Sequence, residues 1–284
     1  MSAHALPPPD EFGLLGKTIS NRFEVEEVVG AGGFGVVYRA KHSGIGRPVA
    51  IKCLRIPPEL PLEMRAPLVR RFAEEFRLLF ELSSLHAGFV KAFETGVVTD
   101  RRGALVPFLV LEWLDGGSLE RLVEDGRRLG RTASMSSLQQ NLGPIAEALA
   151  CAHDRGVAHR DLKPANIVFT HVMGKVVPKL LDLGIAKVFE EVRSVTDAVT
   201  TRANPLEGMF TPSYAAPEQW VTTLGATGPW SDVFSFVLIC VELLSAEPAL
   251  PATDIPRLMG ECMDPVRRPT PRARGAQINN ALEA

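Results

Sequence analysis

The feature that most constrains this chain is an eight-residue stretch, His159–Asn166, which reads HRDLKPAN. It places a carboxylate, an ammonium group and an amide close together, at Asp161, Lys163 and Asn166. One such loop could hold a general base, a cation directed at a phosphate and a metal ligand. That combination suits phosphoryl transfer, in which a protein mainly positions groups and neutralises charge.

A glycine-rich motif lies upstream, after a strand-like run. Residues 30–37 read GAGGFGVV and contain four glycines, Gly30, Gly32, Gly33 and Gly35. Glycines let a backbone approach a phosphate closely. The pattern GxGxxG alone is weak evidence, because dinucleotide-binding folds carry it too, but in those folds a helix follows. Here Val36–Tyr38 predicts a second strand, although an ordinary glycine-rich hairpin would have the same pattern.

A short strand and a helix follow the glycines. Residues 49–52 read VAIK and end in Lys52, and a lysine at a strand end is usually just solvated. Residues 68–82 carry apolar side chains at helical spacing, after several prolines that are expected to break the chain. Of the two adjacent glutamates on this predicted helix, we choose Glu75 as the inward-facing one and keep Glu74 as the alternative.

Three shorter motifs follow the octet in order. Residues 182–184 read DLG, residues 211–218 read TPSYAAPE, and residues 264–269 read DPVRRP. Each motif is weak alone, but their order and their spacing from the octet are informative. Between the last two motifs, Asp232 opens an apolar stretch that predicts a buried helix over residues 233–244.

Together these motifs resemble those of the eukaryotic-type Ser/Thr protein kinases found in bacteria. The octet matches the kinase catalytic loop H-R-D-L-x-x-x-N at all five specified positions. The resemblance implies an α+β, bilobal fold with a β-rich N-lobe and a mainly helical C-lobe. The implied parts are an N-lobe over 22–114 and a C-lobe over 115–284. The residues before Arg22 are Pro-rich and lack clear periodicity, which predicts a flexible tail over 1–21, with docking against the body as the alternative.

The C-lobe is expected to be shortened after the helix that Asp232 opens. Only about twenty residues separate Leu244 from Asp264, fewer than the family normally uses. The helix that usually follows is therefore expected to be short or lost.

The resemblance also implies catalytic roles. Asp161 would orient the substrate hydroxyl and can accept its proton, while Lys163 would neutralise the transferring phosphoryl group. Lys52 would hold the α- and β-phosphates of ATP and pair with Glu75.

Nucleotide and metal contacts follow from the same resemblance. Asn166 and Asp182 would hold Mg²⁺, with Mn²⁺ as an alternative, and the four glycines would cover the phosphates. The adenine would be sandwiched by Val37, Ala50 and Val168. The backbone of Glu112 and Leu114 would form hydrogen bonds with it, and Leu111 would control access to the space behind it.

Three structural contacts are implied as well. Thr211 would form hydrogen bonds near the catalytic aspartate and lysine. Glu218 would pair with Arg268, and Asp232 would accept hydrogen bonds from the octet backbone.

We hypothesise that phosphorylation regulates this chain. Arg160 precedes the catalytic aspartate, and a phosphate on Ser194, Thr196, Thr200 or Thr201 could pair with it and order the segment. Polar loop residues without that role would give the same sequence.

The composition indicates which partners and which cellular location to expect. The formal net charge of -2 gives no basic field for nucleic acid, and no apolar run is long enough to predict a membrane span. The four cysteines form no CxxC pair, which predicts reduced, buried thiols and a cytoplasmic protein.

The resulting prediction is an ATP-dependent kinase that acts on Ser/Thr hydroxyls of proteins. The sequence predicts no particular oligomeric state. Two alternatives remain: a pseudokinase that binds nucleotide as a scaffold, and a small-molecule kinase of the aminoglycoside-phosphotransferase type. Intact Lys52, Asp161, Asn166 and Asp182 argue against the first, and Lys163 argues against the second.

Overall fold

A computed structural model describes residues 8–32, 35–56, 60, 62–183 and 211–276, without the side chains of residues 62, 64, 71, 75 and 222. The described residues divide into two compact units. The first contains the residues up to Leu85 together with Val90–Trp113, and the second contains His86–Phe89 and the residues from Leu114 onward.

The first unit is built on one six-stranded antiparallel sheet with strand order β1-β2-β3-β4-β6-β5. Its strands are β1 Thr18–Ile19, β2 Phe23–Gly32, β3 Gly35–His42, β4 Pro48–Leu54, β5 Ala92–Thr99 and β6 Leu105–Glu112. Alternating apolar residues give β2 its buried side, and the predicted strand–glycine–strand hairpin is confirmed as β2–β3.

One helix, α1 Leu62–Leu85, also belongs to the first unit. It begins six residues before the predicted start, and Pro67, which was expected to lie before the helix, lies inside it. A proline lacks the N–H that would bond one turn back, so it removes one helical hydrogen bond. The prediction failed because a proline near a helix start is tolerated when the remaining turns pack well, as Phe72, Leu79 and Leu82 do here.

Residues 8–17 form an ordered N-terminal segment. Phe12 and Leu14 are buried in the core of the first unit, beside the β2–β3 hairpin. The Asp10 carboxylate accepts from the backbone N–H of Leu14 at 3.0 Å and from the Tyr38 hydroxyl at 2.8 Å. These two buried side chains dock the segment against the core of the first unit, which was the alternative left open for the tail predicted over residues 1–21.

The second unit is mainly helical. Its helices are α2 Leu119–Leu129, α3 Met135–His153, α4 Pro217–Trp220, α5 Pro229–Ser245 and α6 Ile255–Met263. The apolar runs at residues 167–169 and 176–180 predict a small hairpin, and β7 Ile167–Val172 and β8 Lys175–Leu180 form it.

Local signals set most of these helix ends. Ser118 and Ser134 cap α2 and α3 by accepting from backbone N–H groups three residues on, at 3.4 and 3.1 Å. Gly130 ends α2 in the left-handed region, with φ of 61°. The sequence predicts a short helix over residues 119–124 and a surface loop over residues 126–134, so helix α2 runs past the predicted end and includes part of that loop.

The apolar helix predicted after Asp232 is α5, and its buried face packs in a cluster with α6. This cluster comprises Ala215, Trp220, Leu238, Val241, Ala249, Leu250, Leu258 and Cys262. Between Ser245 and Asp264 the described chain has a single nine-residue helix, α6. The sequence also predicts a short last helix over residues 276–284, and these residues lie outside the described part of the chain except for Ala276.

Two further sequence predictions concern burial and membranes. Of the four cysteines predicted to be buried, Cys53 and Cys262 are buried, whereas Cys151 and Cys240 are half-buried. Burial raises the pKa of the Cys53 and Cys262 thiols to about 12. Among the described residues, no helix has both the length and the apolar composition needed to cross a membrane.

Candidate functional site

The octet, His159–Asn166, follows α3 and leads through a short 3-10 turn into β7. Arg160 adopts a left-handed backbone conformation with φ of 67°, and Asp182, just after β8, does the same with φ of 58°. Such conformations cost free energy in residues other than glycine and concentrate at functional sites. Both occur here beside predicted catalytic residues.

Three side chains form a compact polar cluster, which we name the catalytic cluster: Asp161, Lys163 and Thr211. Asp161 Oδ1 accepts from the Thr211 backbone N–H and from its hydroxyl, both at 3.1 Å. Lys163 Nζ lies 2.8 Å from Asp161 Oδ2 and donates to Thr211 Oγ1 at 2.8 Å. The predicted contact of Thr211 with both residues is confirmed.

The catalytic cluster combines a nearly buried carboxylate with an accessible ammonium group. Asp161 is 8% exposed, whereas the Lys163 side chain is 24% exposed. The Thr211 hydroxyl donates to the carboxylate and accepts from the ammonium group, so it holds both at fixed positions. Such an arrangement can direct a carboxylate at an incoming hydroxyl and a positive charge at a phosphoryl group.

Asn166 is buried and oriented by the octet itself. Its Nδ2 donates to the backbone carbonyl of Asp161 at 2.8 Å. This bond assigns the amide orientation and leaves Oδ1 as the atom suited to a metal. The backbone N–H of Leu181 donates to the Asn166 carbonyl at 2.8 Å, which ties the residue before Asp182 to Asn166.

This donor set fits Mg²⁺. Asn166 and Asp182 offer the hard oxygen ligands that Mg²⁺ prefers, and Mg²⁺ commonly takes one or two such protein ligands alongside phosphates and water. Within the described ranges, no group of three or more His, Cys, Asp or Glu side chains could hold a metal ion by itself. A site shared with nucleotide phosphates is the arrangement that these two residues support.

Asp232, in the first turn of α5, accepts hydrogen bonds from the backbone of the octet. Its Oδ2 accepts from the His159 backbone N–H at 2.8 Å and lies 2.7 Å from His153 Nε2, while its Oδ1 accepts from the Arg160 N–H at 2.8 Å. The carboxylate is fully buried. The predicted contact between Asp232 and the octet backbone is confirmed.

The His159 ring adds a second support. Its Nε2 lies 2.7 Å from the Leu181 carbonyl, which can only accept, so Nε2 carries the proton. Its Nδ1 then accepts from the Asp161 backbone N–H at 3.3 Å. The buried ring therefore connects the residue before Asp182 with the backbone of Asp161.

Sequence reasoning missed Gln219, which lies in α4. Its Nε2 donates to the Arg160 carbonyl at 2.7 Å, and its Oε1 accepts from the Ala216 N–H at 2.9 Å. Asp232 and Gln219 thus hold the two sides of one strained residue, Arg160. No local pattern around Gln219 signals a contact with a residue so distant in sequence.

The predicted pair between Glu218 and Arg268 is wrong for the described structure. Glu218 Oε1 accepts from the Ser231 hydroxyl, and no ion pair joins the two described side chains of Glu218 and Arg268. Arg268 is exposed, so solvation competes with the expected pair. Glu218 instead links α4 to the first turn of α5.

In the first unit, sheet register places four predicted nucleotide residues on one face. Val37 and Leu109 lie opposite Lys52 in the register, and Leu111 lies opposite Ala50. Directly opposed residues, and residues two apart on one strand, point to the same side of a sheet. Val37, Ala50, Lys52 and Leu111 therefore share one face.

Other predicted residues of the first unit are only partly described. The Glu75 side chain lies outside the described residues, whereas Glu74 on the same helix is exposed. The Glu112 N–H donates to the Lys91 carbonyl at 2.9 Å, at the end of β6. Gly33 and the candidate phosphorylation sites in residues 194–201 also lie outside the described residues.

The glycine at the start of β3 is required by its surroundings. A Cβ on Gly35 would lie 1.9 Å from the Cys53 carbonyl oxygen, and φ there is +149°. The Gly35→Ala variant should therefore lose about 1–3 kcal/mol of unfolding free energy through steric strain. Denaturant unfolding would measure this loss.

Gly30→Ala is the matched control for that experiment. A Cβ on Gly30 would meet nothing within 4 Å, so the unfolding free energy should stay within about 0.5 kcal/mol of the wild-type value. Equal stability of the Gly35→Ala variant and the wild-type chain would contradict the steric argument.

The family model for the protein kinase domain matches residues 23–272 of this chain. The chain belongs to the protein kinase domain family. The match covers both units, and the predicted resemblance and fold class are confirmed.

Three bacterial proteins are among the curated relatives of this kinase domain. It is 34% identical over 231 residues to the probable serine/threonine-protein kinase PknB of Corynebacterium glutamicum, covering 81% of this chain and 32% of the relative. It is 35% identical over 233 residues to the serine/threonine-protein kinase Pkn1 of Myxococcus xanthus, covering 82% and 30%.

A third relative is the serine/threonine-protein kinase PrkC of Bacillus subtilis, with 30% identity over 232 residues, 82% of this chain and 32% of the relative. The kinase domain thus spans about a third of the length of these curated relatives.

Proposed function

We propose that this kinase domain is an active, ATP-dependent Ser/Thr protein kinase. The observation that carries the proposal is the catalytic cluster, in which Thr211 holds the Asp161 carboxylate and the Lys163 ammonium group together. The names of the curated relatives support the same reaction. The substrate class is a protein that presents a Ser or Thr hydroxyl.

Each residue of the catalytic cluster has one role in this proposal. Asp161 orients the substrate hydroxyl through a carboxylate oxygen and takes up its proton as the hydroxyl oxygen attacks the γ-phosphorus of ATP, while the bond from that phosphorus to the β–γ bridging oxygen breaks and ADP leaves. Lys163 places its positive charge beside the phosphoryl oxygens, where negative charge develops in transfer. Thr211 keeps the carboxylate and the ammonium group in register.

The nucleotide is bound by the residues that the resemblance assigns. Lys52 neutralises the α- and β-phosphates and pairs with Glu75, and the hairpin glycines approach the phosphates with their backbone. The adenine contacts are Val37, Ala50, Leu111, Glu112, Leu114 and Val168.

Asn166 and Asp182 hold the divalent cation that accompanies ATP. Mg²⁺, or Mn²⁺ in its place, neutralises charge on the phosphates when it is bound. Asn166 is ready for this role, because its Nδ2 bond to the Asp161 carbonyl turns Oδ1 away from the backbone. We also propose a cytoplasmic location and no nucleic-acid partner.

Phosphate transfer from [γ-³²P]ATP with Mg²⁺ tests the proposal. The acceptors are the chain itself, a Ser/Thr peptide library and a panel of small metabolites. Lys52→Met and Asp182→Asn should each lower the rate by about 10²- to 10³-fold, since single electrostatic contacts of this kind contribute roughly 3–4 kcal/mol. Labelled Ser or Thr in protein or peptide is the expected product.

Other outcomes assign the alternatives. Labelled metabolites without labelled peptide would indicate a small-molecule kinase. Binding of Mg-ATP in a thermal-shift measurement without any transfer would indicate a pseudokinase.

A further inference from the structure

One arginine connects the N-terminal segment to the glycine-rich hairpin, β2–β3. Arg55 follows β4, three residues after Lys52. Its Nε and Nη2 donate to the two carboxylate oxygens of Glu11, the first at 2.8 Å, and its Nη1 donates to the Gly32 carbonyl at 2.8 Å. A single guanidinium thus joins a carboxylate of the N-terminal segment to the backbone of the hairpin.

The Glu11 end of this connection is firmly anchored. Glu11 lies between Asp10, which accepts from the Tyr38 hydroxyl, and Phe12, which is buried in the core. Leu14 is fully buried two residues further on. Because the residues on both sides are fixed, the Glu11 carboxylate offers Arg55 a stationary partner.

The Gly32 end lies at the last described residue of β2. Gly32 pairs with Gly35 across the hairpin, and Gly35 contacts the Cys53 backbone so closely that no side chain fits. Gly32 has no side chain of its own to restrain it by packing. The hydrogen bond from Arg55 Nη1 restrains the Gly32 carbonyl instead. Hydrogen bonds from a charged donor are stronger than neutral ones, and the planar fork of arginine orients several at once.

We propose that Arg55 is a positioning residue for nucleotide binding: Glu11 holds its guanidinium, which fixes the Gly32 carbonyl and with it the hairpin that receives the ATP phosphates. The inference rests on the proposed function. It adds that the N-terminal segment sets the affinity of the domain for ATP.

Solvent exposure predicts where the effect appears. The Arg55 and Glu11 side chains are 35% and 37% exposed, and ion pairs at such exposure add little to folding stability. The Arg55 hydrogen bond also holds the pKa of the Glu11 carboxyl below its ordinary value, so the carboxyl is charged at neutral pH. Loss of the pair should therefore change hairpin order and ATP affinity more than the unfolding temperature.

The test compares the full chain with Glu11→Gln, Arg55→Met and the charge-swapped double variant Glu11→Arg/Arg55→Glu. Glu94→Gln, which breaks the exposed ion pair with Arg22 in the same unit, is the matched control. Three quantities are measured: the Kd of Mg-ATP by calorimetry, KM for ATP and kcat, and amide hydrogen exchange over residues 28–38 without nucleotide.

Glu11→Gln and Arg55→Met should each raise Kd and KM for ATP about three- to tenfold, the net size of one typical hydrogen bond, with kcat within about twofold. Exchange over residues 28–38 should accelerate in both. The charge swap should restore the ion pair but not the affinity, because a glutamate at position 55 cannot donate to the Gly32 carbonyl. The control should match the wild type.

Wild-type hairpin exchange and Kd in both single variants would overturn the inference. Full rescue by the charge swap would overturn it as well, since the ion pair alone would then be responsible. A wild-type chain that binds Mg-ATP without transferring phosphate would refute the proposed function, while Kd and exchange would still decide the role of Arg55. Absence of Mg-ATP binding would refute both.

Discussion

Asp161→Asn is expected to lower kcat by about 10²- to 10⁴-fold, the usual contribution of a general base. The amide keeps one oxygen that can accept from Thr211, but it cannot take a proton from a substrate hydroxyl. It also places an NH₂ group where Oδ2 now lies 2.8 Å from Lys163 Nζ, so the ammonium group loses its ion pair and keeps its hydrogen bond to Thr211 Oγ1. Initial rates at saturating Mg-ATP and peptide measure the effect.

The matched control for this variant is Asp125→Asn. Asp125 pairs with Arg128 on the exposed surface of α2, so its loss should leave kcat unchanged and the unfolding free energy within about 0.5 kcal/mol. Circular dichroism should show that the Asp161→Asn variant is folded. A folded Asp161→Asn variant with kcat within threefold of wild type would contradict a role for this carboxylate in the reaction.

Asp232→Asn is expected to destabilise the second unit by about 3–5 kcal/mol, as removal of a buried charge from its partners does. The backbone N–H groups of His159 and Arg160 donate to different oxygens of this carboxylate. Either orientation of an asparagine amide would place its NH₂ group against one of these donors. Denaturant unfolding measures the loss, and kcat should fall as well because the octet loses its support.

Asp254→Asn provides the comparison for this experiment. Asp254 caps α6 by accepting from the Arg257 N–H at 3.0 Å, and asparagine caps helices about as well as aspartate. Its unfolding free energy should stay within about 0.5 kcal/mol of wild type. If Asp232→Asn were equally mild, the octet would not depend on α5 for its position.

Residues that are close in sequence or belong to ordered motifs were predictable. The β2–β3 hairpin followed from glycines between β-branched runs, and the contacts of Thr211 and Asp232 followed from the family resemblance. In both cases the chemistry is carried by residue types at fixed spacing, which a single sequence displays. The predicted catalytic and nucleotide-binding roles go beyond these contacts and are what the transfer assays address.

Contacts that depend on packing of distant segments were not predictable. Gln219 reaches Arg160 from 59 residues away, and nothing in its own neighbourhood distinguishes it from a surface glutamine. The anchoring of residues 8–17 depends on two apolar side chains, too few for a periodic pattern. Glu218 accepts a hydrogen bond from the Ser231 hydroxyl, whereas the resemblance predicted an ion pair with Arg268.

The attachment of the octet to Asp232 has a consequence for how the domain responds to heat. One fully buried carboxylate, that of Asp232, joins α3, the octet and the first turn of α5. The octet therefore cannot detach while these helices remain packed. Activity should therefore disappear over the same narrow temperature interval as the helical unit melts. Temperature-sensitive variants would then be found in the apolar cluster around α5, whose side chains are not those of Asp161, Lys163 or Thr211.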